Sequence, residues 1–247
     1  MRLFQYWDAA EPSDEVLAWT QTFRALNPDM KHRLFSRDEA AWFIGKHLGH
    51  REQRAFEACA VPSMQSDFFR LCALLHHGGV YADADIVCCK PLSGLVGGVA
   101  HGLVGCWEHE IVHDFLFVRA AGDPFLAACL RLCILNIEAR DIPNVYTAAG
   151  PAVLTAIQAL VRPELADELL ARFDNLLQEG WLFPAILERA RREIPLTDAL
   201  VRSFDAWTLV QKRVIKPWFG RTDASYKQTG RHWTNWQGPI YLPLATD

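Results

Sequence analysis

The sequence has no apolar run long enough to cross a membrane, and its N-terminal residues lack the hydrophobic segment of a signal peptide. It has no long basic run either, and its formal net charge is −4, which argues against a nucleic-acid-binding surface. Internal repeats, low-complexity tracts and long linkers are also absent. These absences favour a cytoplasmic protein that does not bind nucleic acid and whose residues 1–247 form a single domain.

Cysteine pairs of the C-x-x-C type are missing as well. The seven cysteines lie mostly in apolar stretches; they are Cys59, Cys72, Cys88, Cys89, Cys106, Cys129 and Cys133. An odd number without metal-binding spacing fits neither a zinc ribbon nor a disulfide framework. A free cysteine in an apolar stretch behaves as a small hydrophobic residue, so we expect structural thiols in a core that the 51% apolar composition can supply.

Strand-like and helix-like patterns alternate through the first half of the chain, which predicts an α/β fold with a mixed sheet flanked by helices. The predicted strands lie near residues 2–7, 32–35, 80–89, 103–107 and 115–119, and the predicted helices near residues 13–26, 37–48, 51–58 and 63–77. The segment from about 124 to 192 is predicted to be mainly helical, with one apolar stripe formed by Leu126, Leu130, Cys133 and Ile137.

Two carboxylates follow a Gly-Gly pair at alternate positions of a segment that we predict to be extended, from Val80 to Cys89. Successive side chains of an extended chain point to opposite faces, so Tyr81, Asp83 and Asp85 are expected to share one face. Two acids in one small volume repel each other unless a cation lies between them, and carboxylate oxygens suit Mg²⁺ or Mn²⁺. The pattern therefore predicts a divalent metal site that could hold a pyrophosphate.

The stretch before the Gly-Gly pair predicts an amphipathic helix, with Ser63 as its N-cap. Its apolar positions recur at spacings of four, three and four residues; they are Met64, Phe68, Leu71 and Leu75. Asp67 and Arg70 lie one turn apart beside this stripe. They either pair with each other or both point at the ligand that the acids hold.

A second pattern, His109-Glu110-x-x-His113, matches the zinc-binding motif of metallopeptidases. On a helix the two imidazoles would share one face and Glu110 would act as the general base. The run from Asp114 to Val118 is aromatic and β-branched, which favours a strand pair or a loop over that helix, and the nearest acidic candidate for a third ligand is Glu138. A zinc metallopeptidase is the alternative that this motif leaves open.

The pattern around the two acids resembles the signature of the DXD-motif glycosyltransferase sugar-binding family. The resemblance comprises Ser66–Arg70, Leu74, Gly78–Asp85 and Lys90–Leu92, held in one register. This family includes capsular-polysaccharide and yeast-type mannosyl transferases and is related to the glucosylating domains of large bacterial toxins. Weaker similarities occur at Leu3–Trp7, Glu110–Phe125, Ala149–Pro151 and His232–Trp236. Asp114 departs from the family pattern, which usually has Asn there, so its part in the chemistry is left open.

The resemblance implies a GT-A-like fold with helical additions in the C-terminal half. It also implies a hexosyltransferase that uses Mn²⁺ or Mg²⁺, takes a UDP- or GDP-sugar as donor and retains the anomeric configuration. The acceptor would be a glycan, a lipid-linked sugar or a protein, as in polysaccharide biosynthesis. A catalytically silent nucleotide-sugar-binding protein is a further alternative with the same pocket.

The resemblance also assigns roles to individual residues. It implies a metal set of Asp85, His232 and Asn235, although a His flanked by Trp residues is otherwise more often packed in a core. The implied catalytic residues are Arg70, Asp83 and Asp85, with Arg70 holding the sugar and Asp83 accepting hydrogen bonds from hydroxyls. The expected donor-binding residues are Trp7, Asp67, Arg70, Tyr81 and Asp83, and Trp7 either stacks on the nucleobase or packs in the core.

Cations and apolar residues are mixed between Val210 and Arg221. Such a mixture is typical of a strand followed by a solvated loop, whose long cationic side chains cover apolar surface. Alternatively, Lys212, Arg213 and Lys216 form a patch that makes weak peripheral contact with an anionic membrane.

Overall fold

A six-stranded mixed sheet forms the centre of the computed structural model, which describes residues 1–175, 182–222, 225–228 and 232–243. In the described residues the strands are β1 (Arg2–Tyr6), β2 (Lys31–Phe35), β3 (Gly79–Ala82), β4 (Ile86–Cys88), β5 (Gly102–Trp107), β6 (Glu110–Val118), β7 (Trp207–Gln211) and β8 (Phe219–Arg221). The order in the sheet is β2-β1-β3-β6-β5-β7. Strand β1 is parallel to β2 and β3, and β7 is parallel to β5, whereas β6 is antiparallel to both of its neighbours.

Helices cover the sheet and make up most of the second half of the described chain. They are α1 (Asp14–Leu26), α2 (Arg37–His47), α3 (His50–Ala58), α4 (Pro62–His77), α5 (Ser93–Val96), α6 (Pro124–Ala139), α7 (Val145–Ala148), α8 (Pro151–Val161), α9 (Ala166–Asn175), α10 (Phe183–Glu193), α11 (Asp198–Ala206) and α12 (Lys212–Ile215). The α/β fold with a mixed sheet is thus confirmed. None of the described helices is long and apolar enough to cross a membrane.

The predicted helical segment of residues 124–192 is present as α6 to α10, apart from residues 176–181, which lie outside the described part of the chain. Its apolar stripe is buried, as the periodicity predicts; Leu126, Leu130, Cys133 and Ile137 are each at most 4% exposed. Six of the seven cysteines are also buried without disulfide partners, and Cys89 is exposed.

Helix α4 begins two positions earlier than the predicted N-cap at Ser63 implies. Pro62 is its first residue and Val61 occupies the N-cap, so the predicted N-cap role of Ser63 is wrong. Proline suits the first helical position because its φ angle is already helical and its missing N–H would have no partner there. The apolar side of α4 packs into the core, where Met64, Phe68 and Leu71 are fully buried.

The two acids do not lie in one extended strand, and this expectation is also corrected. Strand β3 ends at Ala82, the chain turns at Ala84 and Asp85, and β4 then pairs with β8 in a separate two-stranded sheet. The chain has to leave the central sheet between these strands. The Asp83 N–H donates to the Asp114 carbonyl oxygen at 2.9 Å, which extends the β3–β6 ladder by one residue before the turn.

Gly79 brings β3 close to β1. Its φ angle is +105°, and a Cβ atom there would lie 2.6 Å from the Arg2 carbonyl oxygen. Any other residue would be strained in this conformation and would push the two parallel strands apart. The Gly-Gly pair therefore fixes the position of β3 and of Asp83 and Asp85, which follow this strand.

Candidate active site

A cavity of about 480 Å³ opens at the end of the sheet where β1 and β3 finish. Three regions of the described chain supply its polar wall: the end of β1, the N-terminal half of α4 and the turn at Asp83 to Asp85. The β5–β6 hairpin, α7 and the C-terminal segment close it from the other side. Residues from distant parts of the sequence thus meet in one concave site of a size that suits a small-molecule ligand.

Arg70 connects the acids at the bottom of this cavity. Its Nη2 atom lies 2.7 Å from Asp67 Oδ1 and 2.9 Å from Asp83 Oδ1. The Arg70 side chain is 3% exposed, whereas a quarter of the Asp83 side chain is accessible. Of the two possibilities that the sequence left open, the structure shows that Asp67 and Arg70 pair with each other, and both residues line the cavity.

Further contacts fix the position of the Arg70 guanidinium. It donates to the His113 carbonyl oxygen and to Ser66 Oγ, and its Cζ atom lies 4.7 Å from the centre of the Tyr81 ring. Burial alone would lower the pKa of Arg70, but the carboxylates of Asp83 and Asp67 raise it above its ordinary value. Arg70 is therefore a fixed, permanently charged group that orients both carboxylates.

Tyr81 is fully buried behind Arg70 rather than along the cavity wall. Its hydroxyl forms a 2.6 Å hydrogen bond with Ser66 Oγ. Tyr81 therefore contacts Ser66 and Arg70 and does not line the cavity.

Asp83 lies where several negative charges converge. Burial raises the pKa of its carboxyl group, Arg70 opposes this, and the charges of Asp85 and Asp114 raise it further. Its backbone is also fixed, because Gln5 Nε2 donates to the Asp83 carbonyl oxygen at 3.1 Å. The repulsion that the sequence predicted for the paired acids is therefore present, and a cation near them would relieve it.

Asp85 points into the same cavity and is paired with a cation from the C-terminal segment. Lys227 Nζ lies 2.8 Å from Asp85 Oδ2, and Thr222 Oγ1 donates to the Asp85 carbonyl oxygen at 2.5 Å. His232 lines the cavity as well. Burial and then the charge of Lys227 lower the pKa of His232, and Asp85 acts in the opposite direction. A neutral imidazole and a carboxylate, two types of metal ligand, thus meet in this part of the cavity.

Asn235, the third residue of the predicted metal set, belongs to a short 3₁₀ helix, Trp233–Asn235. Its Nδ2 atom donates to the Lys227 carbonyl oxygen at 3.0 Å, and the residue is not part of the described cavity wall. The structure brings Asp85 and His232 to the cavity, and Asn235 follows His232 by three residues in the chain. Among the described residues, no group of three or more His, Cys, Asp and Glu side chains has a metal-binding arrangement.

Trp7 and Trp107 form the aromatic walls of the cavity. The sequence predicted a first strand that ends at Trp7; in the structure β1 ends at Tyr6 and Trp7 follows it directly, with its backbone N–H donating to the Phe35 carbonyl oxygen at 2.9 Å. Trp107 ends β5 and is 43% exposed, so part of its ring is free to contact a ligand.

Asp114 and Lys212 form an ion pair on the hairpin side of the cavity. Lys212 is the first residue of α12 and thus faces the site, whereas its neighbour Arg213 is exposed. Sequence reasoning missed this role of Lys212, since 98 residues separate it from Asp114 and only the pairing of β7 with β5 brings them together.

The His109-Glu110-x-x-His113 motif lies in the β5–β6 hairpin, as its β-branched surroundings predicted. Its two histidines diverge: His109 is 3.6 Å from Glu168 near the surface, whereas His113 is buried 3.2 Å from Asp67. Glu110 is also engaged, because it accepts hydrogen bonds from Tyr146 and Arg172. His109 lies in the hairpin turn and His113 within β6, and their rings lie against different carboxylates, so they do not share one helix face as the zinc motif requires and the zinc-site interpretation is wrong.

His113 lines the cavity, whereas the sequence motif suggested that it belongs to a zinc site. It is 3% exposed, and neither ring nitrogen has a well-aligned hydrogen-bond partner. Burial and the charge of Arg70 lower the pKa of its imidazole, against the opposing effect of Asp67. The resulting neutral ring can both donate and accept a hydrogen bond.

The mixed sheet, the helices that flank it and the acids at the strand ends define a GT-A-type glycosyltransferase fold. Of the solved structures similar to this chain, one is described as PaToxG glycosyltransferase; it has 16% sequence identity, a TM-score of 0.53 and 83% coverage of both chains. Another is the ligand-free glycosyltransferase domain of the YGT toxin, with 12% identity, a TM-score of 0.42 and coverage of 83% of this chain and 75% of that one.

Residues 1–100 match the family described as glycosyltransferase sugar-binding region containing DXD motif. The matched region includes β1, α4 and the turn with Asp83 and Asp85. No curated protein matches the chain. The resemblance to the DXD-motif family is confirmed, and the family match and the fold together support a glycosyltransferase.

Proposed function

We propose that the protein is a metal-dependent, retaining hexosyltransferase that moves a sugar from a UDP- or GDP-sugar to a hydroxyl group of a glycan, a lipid-linked sugar or a protein. The observation that carries this proposal is the convergence of Asp83, Asp85, Arg70 and Trp7 on one cavity. Paired acids suit a bridging cation, the guanidinium orients them, and the aromatic ring suits a nucleobase.

The residues around Asp85 fit a divalent cation. The Asp85 carboxylate forms an ion pair with the Lys227 ammonium group, so the space beside this carboxylate accommodates a cation. Mn²⁺ or Mg²⁺ would be held by Asp85 and His232, with Asn235 from the adjoining short helix as the third ligand. When bound, it would supply Lewis-acid stabilisation of the negative charge on the departing diphosphate.

The residues of the cavity supply the remaining chemistry. The acceptor hydroxyl attacks the anomeric carbon from the face that the diphosphate leaves, the bond from that carbon to the phosphate oxygen breaks, and the phosphate takes the hydroxyl proton. This sequence retains the anomeric configuration and needs no nucleophile from the enzyme. Asp83, fixed by Arg70, accepts hydrogen bonds from donor hydroxyls, and Trp7 stacks on the base.

Lys212 and Lys227 have a further role in this proposal. Both ammonium groups lie in the cavity, each paired with a carboxylate. An incoming diphosphate offers them alternative anionic partners, so binding of the donor exchanges one ion pair for another. Asp114 would then be released to interact with the sugar or the acceptor.

Weak contact with an anionic membrane remains a prediction for the segment that follows β7. Arg213 and Lys216 are exposed together with Val214, whose side chain is 54% exposed, but Lys212 is engaged by Asp114 in the cavity. We expect the affinity for anionic vesicles at low salt to fall when Arg213 and Lys216 are changed to Gln. Vesicle co-sedimentation measures it, and equal binding of variant and wild type would favour a soluble acceptor.

A thermal-shift panel of UDP- and GDP-sugars tests the proposed donor. We expect one donor to raise the melting temperature in Mn²⁺ or Mg²⁺, because a ligand at 100 times its Kd stabilises the native state by about 2.7 kcal/mol. Chelation of the metal should remove this shift. A metal-independent shift, or no shift with any donor, would contradict the proposed metal-bound diphosphate. Binding without hydrolysis of the donor would instead identify a catalytically silent protein.

A further inference from the structure

The far end of the sheet carries cations from four neighbouring chain segments. Lys31 begins β2, Arg2 begins β1, His77 precedes β3 and Arg119 follows β6. These segments are adjacent because the sheet order is β2-β1-β3-β6, and β6 runs in the opposite direction to the other three strands. This cationic row lies at the end of β1 and β3 that is opposite to the active-site cavity.

The register of the strands aligns the row. Arg2 is directly opposite Lys31, and Gly79 is opposite Val118, the residue before Arg119. Neighbouring strands are about 4.8 Å apart, so the row spans about 15 Å. Between its members is a cleft of about 280 Å³, lined by these four residues together with Met1, Gly78 and Gly79.

The charge of the row is uncompensated within the described part of the chain. No carboxylate lines the cleft, and no described acid forms an ion pair with Arg2, Lys31 or Arg119. Arg119 is preorganised, since its Nε atom donates to the Val99 carbonyl oxygen at 3.0 Å, but a carbonyl group does not neutralise it. Such a cluster produces a local positive potential that attracts anions, although the net charge of the protein is −4.

His77 is affected electrostatically by the neighbouring cations. Burial lowers the pKa of His77 to about 4, with further contributions from the charges of Arg2, His76 and His47. The ring also stacks on Phe4 from β1, at 5.8 Å between centroids. Its chemical environment therefore changes when an anion enters the cleft.

We propose that this cleft binds a phosphate-bearing anion at a site separate from the active-site cavity. Three permanent cations at separate points of a concave surface match the oxygens of a multivalent phosphate better than a single carboxylate. The phosphate could belong to a soluble polyphosphate or to a phospholipid headgroup, which offer the same chemistry. The proposal does not depend on the activity of the opposite cavity.

Inorganic tripolyphosphate is the probe for calorimetry on the full chain at low salt and without divalent metal. We expect a Lys31→Gln/Arg119→Gln variant to lose at least about tenfold in affinity. Both positions are exposed and are expected to tolerate the change, which a thermal melt checks. The matched control is Arg131→Gln/Arg202→Gln, which removes two exposed charges that do not line the cleft and should keep the wild-type affinity.

The ring signals of histidine in NMR spectra locate the binding. Addition of tripolyphosphate should move the His77 signals, whereas binding in the active-site cavity would move those of His232. Movement of His232 alone, or equal losses of affinity in the variant and the control, would overturn the proposal.

Co-sedimentation with phosphatidylcholine vesicles, with and without phosphatidic acid, then identifies the source of the phosphate. Retention by phosphatidic acid that the Lys31/Arg119 variant lacks would assign a lipid headgroup. Binding of tripolyphosphate without such retention would assign a soluble phosphate.

Discussion

At the scale of single residues, Arg70 determines how the acids of the cavity are arranged. One buried guanidinium contacts two carboxylates, a hydroxyl group and a carbonyl oxygen. The planar group has enough donors for all of these partners, and a lysine ammonium cannot reproduce that geometry. The same contacts matter for the proposed function, because they hold the Asp83 carboxylate in the orientation in which it would accept hydrogen bonds from donor hydroxyls.

Replacement of Arg70 should therefore affect both stability and donor binding. Arg70→Met leaves Asp67 and Asp83 without their cation, and we expect the free energy of unfolding to fall by about 3–5 kcal/mol. Arg70→Lys keeps the charge and should cost less stability while it still weakens donor binding. Urea denaturation and donor titration measure the two effects. An Arg70→Met protein as stable as wild type would show that this ion-pair cluster does not hold the site together.

Replacement of His113 should affect donor binding more than stability. Its ring nitrogens have no aligned partner in the cavity, so His113→Phe removes a poorly satisfied polar group and should leave the melting temperature within a few degrees of wild type. If a sugar hydroxyl bonds to the imidazole, the same change should raise KM for the donor about tenfold. Steady-state kinetics separates KM from kcat. Unchanged kinetics would exclude a contact between His113 and the donor.

At the scale of elements, α4 and the β5–β6 hairpin build the site together. Helix α4 places Ser63, Asp67 and Arg70 toward the cavity at helical spacing, while its other face fills the core. The hairpin brings His113 and Asp114 to the same cavity. The sequence predicted α4 and strands near residues 103–107 and 115–119, because these periodicities are local, but not the first half of β6. It did not predict the turn at Ala84, since that turn depends on the pairing of β4 with β8, more than 130 residues away.

Glu110 connects the β5–β6 hairpin to two helices, and its replacement tests how much this contact stabilises the fold. It bonds Tyr146 of α7 and Arg172 of α9, and it is 7% exposed. We expect Glu110→Gln to lower stability by about 1–3 kcal/mol, because a partly buried ion pair with Arg172 is lost. The purified protein should contain no chelator-resistant zinc. Stoichiometric zinc that is lost together with activity in the variant would restore the peptidase hypothesis; Glu168→Gln, at an exposed position beside His109, is the matched control.

At the scale of the whole molecule, the sheet separates two charged surfaces. The acidic cavity lies at one end of β1 and β3, and the cationic row lies at the other. The motif near Asp83 predicted the first surface, because its residues are close in the sequence. The second surface and the cavity roles of Lys212 and Lys227 depend on strand order and on contacts between distant segments, which no local pattern encodes.

Folding stability should depend on pH through buried histidines. Burial, followed by the charge of Arg24, lowers the pKa of His32 to about 4, whereas an unfolded histidine titrates near 6.5. The unfolded chain therefore binds the proton first, so this contribution to stability is complete above about pH 6.5 and is lost as the pH falls toward 4. Urea unfolding across this range should show a shallower pH dependence for His32→Gln than for wild type or an exposed-site control, His109→Gln. Identical slopes for all three proteins would contradict this assignment.

The most direct test of the central claim is hydrolysis of UDP- and GDP-sugars in Mn²⁺ by wild type and by Asp85→Asn. The variant keeps the size of the side chain but loses the charge on which the proposed metal site depends. We predict that wild type releases free sugar from one donor only when metal is present, and that the variant is at least about 100-fold slower. Asp198→Asn, at an exposed position, should retain wild-type activity. Equal metal-dependent hydrolysis by Asp85→Asn and wild type would contradict the account.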